Sequence, residues 1–178
     1  MNTITNLSRR QFLKNTGLAG SGLLLGLAGT PSTIAAESGV FELPPFVSIQ
    51  PDGNIRIGMP CSEMGQGIHT SLASLLAEEL EISMDQISSL ETIHHPAFRN
   101  EPIKLLTGGV MDGQMTGGSL SLVGFYGPFR KMGATAREML RGAAAGHWGV
   151  SIDQCRAASA RITNTTTGKS LGYGELAG

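Results

Sequence analysis

The 178 residues carry 13 lysines and arginines against 14 acids, for a net charge of −1, and include only two cysteines. No basic patch or lysine run offers a charged surface for nucleic acid. Two cysteines without a Cys-x-x-Cys spacing are too few for an iron–sulfur or haem framework. In chain order, the first feature is Ser8-Arg9-Arg10-Gln11-Phe12-Leu13-Lys14, an arginine pair ahead of the uncharged run from Thr16 to Thr30. Ile34-Ala35-Ala36 then supplies small residues for a signal peptidase, so residues 1–36 are predicted to be a twin-arginine signal peptide and the protein periplasmic. The run is shorter than the roughly 20 apolar residues of a membrane span. It also holds five glycines, which make it a poor anchoring helix. Cleavage after Ala36 would leave 142 residues (178 − 36) with a net charge of −4 (10 bases against 14 acids) and no permanent membrane span. That length suits one domain.

Residues 37–45 read as a linker or N-terminal arm, and 46–178 as the domain. Phe46 to Gln50 and Ile55 to Met59 alternate apolar and polar residues around Pro51-Asp52-Gly53-Asn54, which predicts a β-hairpin. Ile68 to Ile82 is predicted helical, with Ile68, Leu72, Leu75, Leu76 and Leu80 on one face. Ile87 to His94 reads as a strand, which gives a β-α-β step. Pro96 to Met115 reads as an irregular segment, long for a compact domain. A second helical region is expected up to about Trp148, with Gly127-Pro128 breaking or kinking it. Met132, Ala136, Met139, Leu140 and Ala143 form its apolar stripe, and its small residues at 133, 134 and 142–146 favour close helix packing. Short strands are expected over Arg161 to Thr165 and Ser170 to Tyr173, and another helix opens at Tyr173. The fold class is therefore α/β (α+β): a β-hairpin followed by β-α-β-type elements with two main helices.

Two loops stand out. Gly65-Gln66-Gly67 precedes a helix, where glycines tolerate positive φ and free amides favour an anion such as a phosphate. Gln66 adds an amide able both to donate to and accept from a heterocycle. Thr116-Gly117-Gly118-Ser119-Leu120-Ser121 offers three hydroxyls and two glycines at another helix start. Each alone is equally a tight turn, with Ser119 as an N-cap; together they point to one polar, phosphorylated ligand. Neither supplies a nucleophile with a base.

Glu63-Met64-Gly65-Gln66-Gly67-Ile68-His69-Thr70, followed by Leu75-Leu76-Ala77-Glu78-Glu79-Leu80, resembles the molybdopterin-binding large subunit of the xanthine dehydrogenase and aldehyde oxidase family, in its isoquinoline 1-oxidoreductase beta-subunit type. Thr116-Gly117-Gly118-Ser119-x-Ser121, Gly133-Ala134-x-Ala136-Arg137, Trp148-Gly149-Val150 and Tyr173-Gly174-Glu175-Leu176 extend the resemblance over most of residues 44–178. It implies a molybdopterin cofactor with molybdenum, in a dinucleotide form expected to be the cytosine one. It also implies oxidation of aldehydes or hydroxylation of N-heterocycles, and a small iron–sulfur subunit as electron acceptor. Gly65, Gln66, Gly67, Thr116, Gly118, Ser119 and Ser121 match the family's motifs and are its candidate cofactor contacts; no catalytic residue and no metal ligand is assigned. Family large subunits are several times longer, and their general-base glutamate lies near the far C-terminal end. The expectation is thus an N-terminal part of such a subunit, partnered by its missing remainder, or else a non-catalytic remnant or assembly fragment. Glu63, Glu78, Glu79 and Glu175 are not assigned the base role.

Of the remaining residues, His94-His95 are expected to be structural or on the surface, and His69 on a helix surface. Trp148 is read as a core anchor, Arg130 and Arg137 as ion-pair or backbone-bonding groups, and Met64 as packing under the first loop. Cys61 and Cys155 fit two small buried residues, with a disulfide as the alternative.

Overall fold

A computed structural model describes residues 46–177, apart from the side chain of Ala97, together with the backbone of Leu23–Leu25. The signal and linker expected within 1–45 otherwise lie outside the described residues. Leu23–Leu25 (β1) pairs antiparallel with Val47–Ile49 (β2), which pairs antiparallel with Ile55–Met59 (β3). The β2–β3 turn is closed by Gln50 N–H donating to Asn54 O at 2.9 Å, while Gly53 takes φ 88° and Asp52 Oδ1 accepts from Asn54 N–H. A residue without Cβ suits that left-handed position.

Helix α1 (Ile68–Leu80) then carries the chain over to β4 (Ile87–Thr92), which lies parallel to β3, so the β-α-β step is present. The helix buries Ile68, Leu72, Ala73, Leu76, Ala77 and Leu80; of the predicted stripe only Leu75 is half-buried, and Ala73 and Ala77 join the buried side. It ends two residues short of Ile82, because Glu81 turns left-handed at φ 58°. The hairpin lays Val47, Ile49, Ile55 and Ile57 into the same core. Each such side chain contributes about 1.5–3 kcal/mol relative to exposure.

Pro96 to Met115 is not irregular throughout. Helix α2 (Glu101–Leu106) forms inside it, with Asn100 as N-cap accepting from Ile103 N–H at 3.3 Å and a proline in its first turn. Pro128 does not interrupt the next element: α3 is continuous from Ser121 to Trp148. The proline removes one N–H from the helix ladder. Phe125, Phe129, Met132, Ala136 and Leu140 are nevertheless buried along one side of α3, and this packing outweighs the local defect. Of the predicted stripe, Met139 is half-buried and Ala144 takes the inward place expected of Ala143.

Close packing of α1 against α3 centres on Gly133, where an added Cβ would lie 2.5 Å from Leu76 O and 2.9 Å from Glu79 Cβ. At Gly142 and Gly146 a Cβ would meet nothing within 4 Å, so those glycines do not serve that contact. Arg130 pairs with the Glu79 carboxylate, and Arg137 Nη1 donates to Glu79 O at 2.7 Å. Both arginines thus hold α3 to α1, as expected. Trp148 packs half-buried against the core.

After α3 the chain forms an antiparallel sheet of β5 (Cys155–Ala158), β6 (Arg161–Asn164) and β7 (Ser170–Gly172), then α4 (Tyr173–Ala177). The strand at Cys155–Ala158 has no counterpart in the sequence reading, because four residues hold too little alternation to show. Tyr173 is buried and its hydroxyl donates to Leu80 O at 2.7 Å. Burial raises its pKa well above the ordinary tyrosine value. Cys61 and Cys155 are both free and buried. Among the described residues no helix is long and apolar enough to cross a membrane.

Candidate functional site

The loop after β3 and the loop before α3 come together although they are far apart in sequence. Ser62 N–H donates to Thr116 Oγ1 at 2.9 Å. Between them lies an open cleft of about 350 Å³, lined by Gln66, Ser71, Thr116, Ser119 and Ser121 with apolar flanks from Met64, Ile68 and Leu122. Of the seven candidate residues, Gln66, Thr116, Ser119 and Ser121 line this cleft, and Gly65, Gly67 and Gly118 shape the backbone beside it. A second hollow of about 270 Å³ lies on the sheet, bordered by Arg56 and Glu91, and holds none of them.

The first loop is tightly self-bonded. Glu63 Oε1 accepts from the N–H groups of Gly65 at 2.8 Å and Gly67 at 3.0 Å, and Oε2 accepts from His69 N–H at 3.0 Å. Gly65 and Gly67 take φ 91° and 79°, a conformation in which a Cβ would be strained. Of the helix-start amides expected to be free for a phosphate, those of Gly67 and His69 are therefore engaged by a carboxylate of the chain itself. These bonds, from His69 first, hold the Glu63 carboxyl below the usual glutamate range. Gln66 is also engaged: its Oε1 accepts from Met64 N–H at 2.6 Å and its Nε2 donates to Ser62 O at 2.8 Å. An amide nitrogen with two N–H groups retains one donor after that bond.

His69 is half-buried and not simply on the helix surface. Its Nε2 lies 2.8 Å from Cys61 O and 3.2 Å from Thr92 Oγ1, so it ties the first turn of α1 back to the loop. Met64 does not pack under the loop but stands 71% exposed at its rim. The inside of the loop is taken by the Gln66 side chain, bonded to Met64 N–H and Ser62 O.

The second loop is set by a different device. Gly118 and Ser119 both take left-handed φ, 59° and 55°. Ser119 is not the N-cap; that position belongs to Leu120, without a side-chain cap bond. A serine held in that region is strained, and such residues cluster at ligand sites. Asn100, 1% exposed, donates through Nδ2 to Leu120 O at 3.4 Å. It lies so close to α3 that a Cβ on Gly124 would be 2.8 Å from Asn100 Oδ1. Gln114 ties together the chain just past β3 and just past β4: its Oε1 accepts from His95 N–H at 2.9 Å, and its Nε2 donates to Pro60 O and Ile93 O at 2.8 and 2.7 Å. Sequence reading missed Asn100 and Gln114. An Asn followed by Glu-Pro was the available N-cap signal for the first, and the second carried none. The buried Cys61 thiol sits by Thr116 and Ser121, and burial raises its pKa. His94 and His95 lie past the end of β4, and no cluster of three or more His, Cys, Asp or Glu able to hold a metal occurs among the described residues.

Residues 8–178 match the molybdopterin cofactor-binding domain family. The chain belongs to that family. Similar proteins include the isoquinoline 1-oxidoreductase subunit beta of Brevundimonas diminuta, 30% identical over 174 residues. Another is the membrane-bound aldehyde dehydrogenase [pyrroloquinoline-quinone] of Gluconacetobacter polyoxogenes, also 30% identical, over 179 residues. Each alignment covers 96% of this chain but only 22% and 21% of the relative, so the molybdopterin-binding chain spans about a fifth of their length. Among solved structures, CO dehydrogenase from Oligotropha carboxidovorans aligns over 73% of this chain and 15% of its own, with a TM-score of 0.53 at 22% identity. Quinoline 2-oxidoreductase from Pseudomonas putida 86 aligns over the same fractions, with a TM-score of 0.50 at 15% identity. These two likenesses support the fold. The family resemblance and the mixed α/β architecture read from the sequence both hold.

Proposed function

We propose that this molybdopterin-binding chain holds one side of a molybdenum–pterin dinucleotide, in the cytosine form, within a hydroxylase of aldehydes or N-heterocycles. The observation that carries this reading is the joining of the two loops by the Ser62–Thr116 bond around one polar cleft. The donor set suits a neutral heterocycle: hydroxyls of Thr116, Ser119 and Ser121, the remaining N–H of Gln66, and apolar flanks for a flat ring. No Lys or Arg lines the cleft. When bound, the cofactor supplies oxidation of substrate with oxygen taken from water. The chain's own residues orient it: the bonded first loop fixes Gln66, and Asn100 holds Leu120 and with it the strained Ser119. Cys61 and Cys155 are buried and apart from any metal-binding cluster among the described residues. Electrons are therefore taken to leave through a separate small iron–sulfur subunit, with the rest of a large subunit supplying the general base.

The test is cofactor retention. The full chain, produced in cells making molybdenum cofactor, is expected to copurify with pterin and molybdenum, which Gly118→Val with Ser119→Ala reduces at least tenfold while circular dichroism stays unchanged. Absence of both from a folded wild-type chain, or equal loading in the double variant, overturns the reading. With aldehydes and N-heterocycles the same preparation is expected to reduce no dye. General-base help alone is worth about 100- to 10,000-fold, and no carboxylate lines this cleft.

The periplasm is the proposed location, supported by Arg9-Arg10 ahead of the uncharged run. Replacing both by lysine is expected to leave the precursor in the cytoplasm, read by fractionation and immunoblot; normal periplasmic accumulation contradicts it.

A further inference from the structure

We propose that Glu63 is the positioning residue of the first loop, an internal anion seated at the start of α1, so that whatever part of a ligand meets Gly65–Gln66–Gly67 there is uncharged. The geometry is a closed set of bonds within the nine residues from Cys61 to His69. One carboxylate takes the N–H groups of Gly65, Gly67 and His69, two, four and six places further along the chain. Gln66 closes the ring from the other side through Met64 N–H and Ser62 O, and the His69 ring returns to Cys61 O. A helix start attracts anions through its unpaired amides and the positive end of its dipole. Here the Gly67 and His69 amides of the helix start, with Gly65 before them, are met by the chain through three charge-assisted bonds. A second anion meeting these amides would find them taken and a like charge beside it.

The pattern also explains why a loop with two left-handed glycines keeps one shape. Without the carboxylate, Gly65 and Gly67 are the residues freest to move, because glycine populates both signs of φ. Glu63 fixes both amides at once, and the side chain between them is fixed as a result. The inference concerns the loop's own atoms and stands whether or not a pterin occupies the cleft, so the retention test above and the test below fail independently.

Amide NMR on the full chain tests it, with inorganic phosphate as the probe. In the wild type the Gly65, Gly67 and His69 amides are expected to show no saturable shift. In Glu63→Ala the same amides are expected to gain one, with a midpoint at least about tenfold lower than any wild-type response. Glu63→Gln keeps an acceptor oxygen without the charge and serves if the alanine variant does not fold; its amides should respond to phosphate in the same sense. Acid titration of the wild type gives a second arm. The three amides should move together at one midpoint below the ordinary glutamate range, because the bonded carboxylate resists protonation and the bonds break only as pH falls through that midpoint. Saturable phosphate shifts in the wild type, their absence in a folded Glu63 variant, or three unrelated amide midpoints overturn the proposal.

Discussion

Gly133→Val is expected to cost this chain about 3 kcal/mol or more, read by urea denaturation. A Cβ at this position would come 2.5 Å from Leu76 O, and the obstacle is backbone, which no rotamer change can move aside. The two long helices must separate, which opens the layer that buries Leu76 and Leu80 against Phe129 and Met132. Overpacking of a tight core typically costs about 1–3 kcal/mol, and valine adds two methyl groups beyond the clashing Cβ. Gly142→Ala, in the same helix, is the control. Its Cβ would meet nothing within 4 Å, so the better helix propensity of alanine should stabilise by about 0.5–1 kcal/mol. Opposite signs at the two glycines are the expected result; similar values would show that Gly133 does not sit at the helix contact.

Pro128→Ala is expected to stabilise the chain by about 1–3 kcal/mol. Proline inside a helix removes one hydrogen bond and crowds the carbonyl four residues back, a cost of about 3 kcal/mol. In α3 that carbonyl belongs to Gly124, beside the buried Asn100 side chain. Alanine restores the N–H without disturbing Phe125 or Phe129 on the buried side. The midpoint of urea unfolding should rise with an unchanged slope. A fall in stability would mean that contacts of the proline ring outweigh the lost bond.

The same helix shows what the sequence could and could not display. Its apolar spacing was legible because Met132, Ala136 and Leu140 recur at helical intervals. Its continuity through Pro128 was not, because local propensity argues for a break and only contacts with α1 overrule it. The hairpin was legible in Pro51-Asp52-Gly53-Asn54, where turn chemistry is carried by the residues themselves. Helix α2 was hidden by its shortness and by Pro102, although proline is acceptable in a first turn. At the site, the two loops could be named from their glycines and hydroxyls, but their meeting depends on a bond between residues 54 apart in sequence. The occupation of the helix start by Glu63 was hidden for another reason. The carboxylate lies outside the glycine motif and acts back on it.

Gln114 carries a consequence for chemical ageing. Its side-chain amide acts as an extra rung of sheet, donating to two carbonyls and accepting one N–H, and both donated bonds need the NH₂ group. Hydrolysis of that amide to a carboxylate, one of the slow reactions of heat-labile side chains, would exchange two attractions for two repulsions without breaking the backbone. The segment holding Pro60, Ile93 and His95 in place would then be pushed apart from within, and the cleft with it. A single spontaneous lesion, invisible to a denaturing gel and worth about one dalton, would thus limit how long an otherwise intact chain keeps its two loops together.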